Sequence, residues 1–131
     1  MGADREIEYL SLEDVLMLAA DLLGDPPPVR DVGLLASALA RPRTTVFGVD
    51  AYADVWEKAA ALLQSVLKNH ALVDGNKRLG WLSTAVFLEL NGIEISMALN
   101  ADVYEVVVET AASTFEIPEI ASTLRALIDL T

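Results

Sequence analysis

The run from Leu79 to Leu90 is apolar on nearly every side of a helix, interrupted by Ser83, Thr84 and Glu89. A helix apolar almost all round is stable in water only when other helices enclose it. The run falls short of the roughly 18 residues that a membrane span requires, and Asn91-Gly92 supplies a stop. The chain is therefore expected to pack around a central helix at 79–90. Its 131 residues suit one domain, covering 1–131. Hydrophobic residues make up 53% of the chain against 22% charged, which excludes disorder as the main state.

The other segments have the periodicity of helices that cover such a core. Ser11-Leu12-Glu13-Asp14 reads as a capping box. Leu12, Val15, Leu16, Ala19, Leu22 and Leu23 follow at three- and four-residue spacing, and Gly24 and Pro26-Pro27-Pro28 end the helix. A second helix over Asp31 to Ala40 buries Leu34, Leu35, Ala38 and Leu39, and Pro42 closes it. Thr44 to Gly48 reads as an extended strand or flap. A third helix opens at Asp50 or Ala51 and runs to about Asn69, its stripe made of Val55, Trp56, Ala59, Ala60, Leu63, Val66 and Leu67. Asn100 caps a fifth with Val103, Val106, Val107 and Ala111, where the β-branched run also permits a strand. Ile117, Pro118, Ile120, Ala121, Leu124, Leu127 and Ile128 make a sixth. The fold class is all-α: a compact bundle of about six helices around a central apolar helix, with room for one short β-hairpin flap.

Cysteine is absent, which rules out a disulfide scaffold, a thiol nucleophile and a cysteine zinc site, and fits a reducing compartment. The N-terminus lacks a signal-peptide pattern, and Glu6 argues against a myristoylated Gly2, so a cytoplasmic location is expected. With 20 acids against 9 bases the net charge is −11, which disfavours direct contact with nucleic acid or an anionic membrane. The bases are not spread evenly. Residues 41–78 hold six of them with only four acids, a local charge of +2 against −13 elsewhere, so an anionic ligand is focused toward that segment.

Within that segment, the joint after the third helix breaks local rules. His70, the only histidine, is followed by Ala71-Leu72-Val73-Asp74-Gly75-Asn76-Lys77-Arg78. Gly75 and Asn76 suit a tight turn and an N-cap, yet Lys77 and Arg78 put two cations on a first helical turn, where the helix dipole disfavours them. A bound anion would offset that cost. Free amides, a glycine and two cations together form an anion nest of the kind used for phosphates. Asp74 offers a hard oxygen to a Mg²⁺ shared with those phosphates. His70 can accept a proton from an attacking hydroxyl at neutral pH. A lone histidine at a helix end is more often a cap or a core residue, and it is these neighbours that favour chemistry. Lys58, Lys68 and Arg125 are most simply solvated faces, and Trp56 and Trp81 core residues. Arg41 and Arg43 are either loop charges or contacts to another protein.

The run His70 to Arg78 resembles the signature of the Fic/Doc superfamily: His, any, Phe, any, Asp or Glu, Gly or Ala, Asn, Gly or Lys, Arg. Lysine at Lys77 is similar to the Doc branch. Tyr9 to Leu16, Gly33 to Pro42 and Phe87 to Gly92 also resemble Doc toxin segments, so the likeness spans most of 9–95. Leu72 replaces the usual phenylalanine, and Trp81 stands where many Fic members have a second arginine.

The resemblance implies His70 as base, Asp74 as metal ligand, Gly75 and Asn76 as phosphate nest, and Lys77 and Arg78 as contacts to phosphate oxygens. It implies ATP and Mg²⁺ as cofactors and a kinase-like transfer of the γ-phosphate to a Ser or Thr hydroxyl of elongation factor Tu, arresting translation. Where Fic members have glycine in place of Lys77, they move a nucleoside monophosphate from ATP instead. That transfer, and a non-catalytic antitoxin-binding module, are the alternatives. The self-inhibitory segment of some Fic proteins is missing from the sequence, so the resemblance implies inhibition in trans by a Phd-type antitoxin. Arg43 to Gly48 would capture target backbone by strand addition.

Overall fold

The structure is a computed structural model, and it describes residues 6–95, 104–105, 108–109 and 115–129. Five helices and one hairpin organise these residues: α1 (Leu12–Leu23), α2 (Val32–Ala40), a 3-10 turn (Arg41–Arg43), β1 (Thr45–Val46), β2 (Val49–Asp50), α3 (Val55–Asn69), α4 (Asn76–Leu90) and α5 (Ile117–Asp129). Tyr104–Glu105 and Val108–Glu109 are also helical. The readings at Asn100, Val103, Val106, Val107 and Ala111 lie outside the described residues.

Three helices start where a polar side chain meets a free amide. Ser11 Oγ accepts from the Asp14 N–H at 3.0 Å, and the Asp14 carboxylate accepts from the Ser11 N–H at 3.0 Å, which completes the capping box of α1. Asp31 caps α2 through the Leu34 N–H at 3.0 Å. Asp54 caps α3 through the Glu57 N–H at 2.9 Å, and Glu57 returns a bond to the Ala53 N–H at 3.1 Å. The Asp54 cap starts α3 at Val55, later than the expected Asp50 or Ala51. Asp50 belongs instead to the hairpin, pairing with Thr45 while its carboxylate binds Lys58.

The centre also differs from the expectation. Among the described elements, α3 packs against α2, the 3-10 turn, α4 and α5, whereas α4 packs against α3 and α1. Every residue of α3 from Lys58 to Leu67 is buried. Ala59, Ala60 and Ala61 keep that helix slim, so neighbours close in on all sides. Leu63, Leu79, Phe87, Leu88 and Leu124 fill the space between α3, α4 and α5, each contributing about 1.5–3 kcal/mol by leaving water. Trp56 and Trp81 are buried, as expected. Lys58 is not a solvated face. It is only 1% exposed, and its ammonium donates to the Asp50 carboxylate at 3.0 Å and to the Tyr52 carbonyl.

The flap is a two-stranded antiparallel hairpin with Val46 opposite Val49. It begins at Thr45, later than the expected Arg43, because Arg43 ends the 3-10 turn with its guanidinium 4.7 Å from the centre of the Tyr9 ring. Phe47 and Gly48 both have positive φ, as the tight turns favoured by hairpins require, and the Phe47 side chain is fully exposed. No helix among the described residues is long and apolar enough to cross a membrane.

Candidate functional site

α3 ends at Asn69, and His70 takes the left-handed conformation at φ 49° and ψ 49°. That conformation reverses the chain out of the helix and leaves the imidazole exposed. Arg30 stabilises the reversal from outside by donating from its guanidinium to the His70 carbonyl. The next residues are clipped to the segment before α2. The Arg30 and Asp31 N–H groups both donate to the Ala71 carbonyl, at 2.8 and 3.0 Å, and the Val73 N–H donates to the Pro28 carbonyl at 2.8 Å. Val29 and Leu72 form a bridge between the two segments, with Leu72 fully buried. Leucine thus supplies the anchor that the family pattern assigns to phenylalanine.

Gly75 occupies the N-cap position of α4 at φ 88°, and a Cβ there would lie 2.7 Å from the Leu23 methyl carbons of α1. Both the backbone angle and the close approach require glycine. The expected cap, Asn76, is instead the first helical residue, and its side chain folds back. Oδ1 accepts from the Leu72 N–H and Nδ2 donates to the Leu72 carbonyl, both at 3.0 Å. The Asn76 side-chain carboxamide therefore closes the loop, while its backbone N–H stays at the open start of the helix.

No side chain caps α4, and its first intrahelical bond runs from the Leu79 N–H to the Gly75 carbonyl at 2.9 Å. The backbone N–H groups of Asn76, Lys77 and Arg78 consequently have no intrahelical acceptor. Lys77 and Arg78 are exposed and have no carboxylate partner among the described residues. Unsatisfied amides, the positive end of the helix dipole and two unpaired cations converge on one spot, a setting for a polyanion.

His70, Asp74, Gly75, Asn76, Lys77 and Arg78 all line one cleft of about 420 Å³. Every sequence-derived site residue is thus brought together. Val73 and Tyr104 complete the lining. Tyr104 was missed from sequence because its helix is marked by its valines, and nothing in the local pattern ties a tyrosine 34 positions after His70 to the same cleft.

The donor set also bears on a metal. Among the described residues no three His, Asp or Glu side chains cluster as a metal cage. Asp74 is exposed and stands alone beside the amide nest. One carboxylate suits a Mg²⁺ that takes most of its ligands from phosphate oxygens and water, and does not suit a resident metal.

A family model described as the Fic/DOC family matches residues 9–88. The chain is also 53% identical over 95 residues to a protein named "Toxin Doc" from Mycolicibacterium smegmatis (strain ATCC 700084 / mc(2)155), an alignment covering 72% of this chain and 73% of that protein. The match takes in α1 to α4 and with them the whole run from His70 to Arg78, and on this basis the chain belongs to the Fic/Doc family, in its Doc branch.

Proposed function

We propose that the protein is the toxin of a toxin–antitoxin pair, and that it transfers the γ-phosphoryl group of ATP to a Ser or Thr hydroxyl of a translation factor in the cytoplasm. Elongation factor Tu is the expected acceptor by family resemblance, and arrested translation the consequence. The observation that carries this reading is that His70 lines one cleft with the uncapped start of α4, where Lys77 and Arg78 have no carboxylate partner among the described residues. The similarity to a protein named "Toxin Doc" supports the toxin assignment. Lys77 in place of glycine favours γ-phosphoryl transfer over nucleotidyl transfer.

In this reading the amides of Asn76, Lys77 and Arg78, with the two cationic side chains, hold the triphosphate and stabilise charge on its oxygens. Asp74 would hold Mg²⁺ against the same oxygens, where the ion supplies charge neutralisation. His70 orients the acceptor hydroxyl and takes its proton on an imidazole nitrogen as the oxygen bonds to the γ-phosphorus. The bond from that phosphorus to the bridging oxygen breaks, and ADP leaves. Most of the rate comes from positioning and charge, because the transferred group demands little covalent help. The exposed hairpin, with open edges at Thr45–Val46 and Val49–Asp50, suits capture of the target backbone by strand addition. A Phd-type antitoxin is the expected inhibitor in trans.

ATP labelled at the α or the γ phosphate, incubated with the protein and a cell extract, tests the reading. γ-label on a protein acceptor, lost in His70→Ala, is the expected result. α-label on the acceptor would overturn the kinase reading in favour of nucleotide monophosphate transfer, and a His70→Ala variant as growth-inhibitory as the wild type would overturn catalysis itself.

A further inference from the structure

Arg41 is a half-buried cation held entirely by neutral groups. Its Nε donates to Tyr52 Oη at 2.9 Å, and one terminal nitrogen donates to Gln64 Oε1 at 2.9 Å and Ser65 Oγ at 3.0 Å. The Tyr52 ring lies 5.6 Å from its Cζ. A guanidinium this far from water ordinarily takes a carboxylate, and the chain has 20 acids to offer. Among the described residues neither Arg41 nor Lys68 forms an ion pair. Both line a second cleft of about 460 Å³, together with Ser37, Thr44, Ser65 and Asn69. Two cations without an ion pair among the described residues, one of them locked in orientation, with the hydroxyls of Ser37, Thr44 and Ser65 around them, make a ready oxyanion site.

The surroundings decide which oxyanion. Among the described residues no aromatic side chain lines the cleft to stack a nucleobase. Lys68 and Asn69 close the C-terminal end of α3, where the helix dipole is negative and penalises a phosphate dianion more than a carboxylate. Thr44 leads directly into β1 and Asn69 directly into His70, so the lining of the cleft joins the hairpin through one residue and the histidine through another. We propose that this cleft is a specificity subsite that binds an Asp or Glu side chain of the polypeptide substrate, near the hydroxyl presented to His70. The proposal rests on His70 acting on a protein hydroxyl, yet its binding step is measurable without catalysis.

The test is an amide-resolved NMR titration of the full chain with a capped Thr-containing peptide bearing two glutamates, with its glutamine twin, and with inorganic phosphate. The glutamate peptide is expected to shift the signals of Ser37, Thr44, Ser65, Lys68 and Asn69. Binding should be at least tenfold weaker for the glutamine twin and for Lys68→Glu, and restored in Lys68→Arg. Equal binding of the glutamine twin, shifts confined to the Lys77–Arg78 cleft, or tighter binding of phosphate than of peptide would overturn the subsite. Acceptor labelling in extract gives the second arm, where Lys68→Glu is expected to reduce labelling at least fivefold at limiting extract. Undiminished labelling despite lost peptide binding would overturn the substrate assignment. Absence of labelling by the wild type would count against the catalytic reading alone, and the peptide titration would still decide the subsite.

Discussion

His70 occupies a backbone conformation that costs a non-glycine residue about 1–2 kcal/mol. Arg30 and the clip between residues 28–31 and 71–73 hold it there, which turns the imidazole toward the cleft. Replacing His70 with alanine should lower phosphoryl transfer by about 10²- to 10⁴-fold, the usual worth of general-base assistance. Nucleotide affinity, measured by calorimetry, should stay within a factor of two or so, because the amides and cations that hold phosphate lie on α4. Gly75 shows the opposite dependence, on fold rather than chemistry. Gly75→Ala combines a positive φ with a clash against Leu23, and should lower unfolding free energy by about 1–3 kcal/mol in a urea titration.

At the scale of elements, side-chain caps position the helix starts and an ion pair with one buried partner ties the hairpin to α3. The Ser11 N–H, and then the Ser11 hydroxyl, hold the Asp14 carboxyl below the ordinary aspartate range. A carboxyl whose folded value is lowered contributes stability that is complete above its unfolded pKa and lost as pH falls through the folded one. Asp14→Asn should therefore flatten the acid limb of stability against pH, measured by circular dichroism below the ordinary aspartate range, and leave its shape near neutrality unchanged.

The Lys58–Asp50 pair ties the hairpin to α3 asymmetrically, since the Lys58 side chain is 2% exposed and the Asp50 side chain 54%. Asp50→Ala leaves a buried ammonium without its counter-charge and should cost about 2–4 kcal/mol by urea titration. Lys58→Met leaves a carboxylate that water already reaches, and should cost less than half as much. Faster hydrogen exchange of the hairpin amides should accompany both variants.

Much of this was legible in the chain itself. The box at Ser11 to Asp14 marked α1, the Gly75 turn marked the start of the site helix, and the spacing from His70 to Arg78 gave a site whose members do share one cleft. What escaped depends on pairings between residues a few positions apart that helix periodicity does not mark. The start of α3 was misplaced because Asp50 and Asp54 offer equal caps locally, and only the hairpin pairing of Asp50 separates them. Lys58 read as surface because nothing near it in sequence announces that Asp50 and the Tyr52 carbonyl reach its ammonium. Asn76 is the best cap residue in the joint, yet tertiary closure spends its amide on Leu72.

For the whole molecule, the central tension is electrostatic. A chain with net charge −11 repels a nucleotide at long range, so the proposed capture would depend on the short-range field of the bare α4 N-terminus with Lys77 and Arg78. The packing of the bundle permits this, because α3 is buried from Lys58 to Leu67 and α4 over most of Leu79 to Leu88, while Lys77 and Arg78 at the start of α4 stay exposed beside His70. The second cleft, at Arg41 and Lys68, adds two further cations and is the proposed place for an acidic side chain of the polypeptide substrate. A crystal structure of the protein with Mg²⁺ and a non-hydrolysable ATP analogue tests the central claim most directly. Phosphate oxygens bound to the amides of Asn76, Lys77 and Arg78, with the γ-phosphate nearest His70, are the result expected. An analogue seated elsewhere, or with its α-phosphate nearest the imidazole, would contradict it.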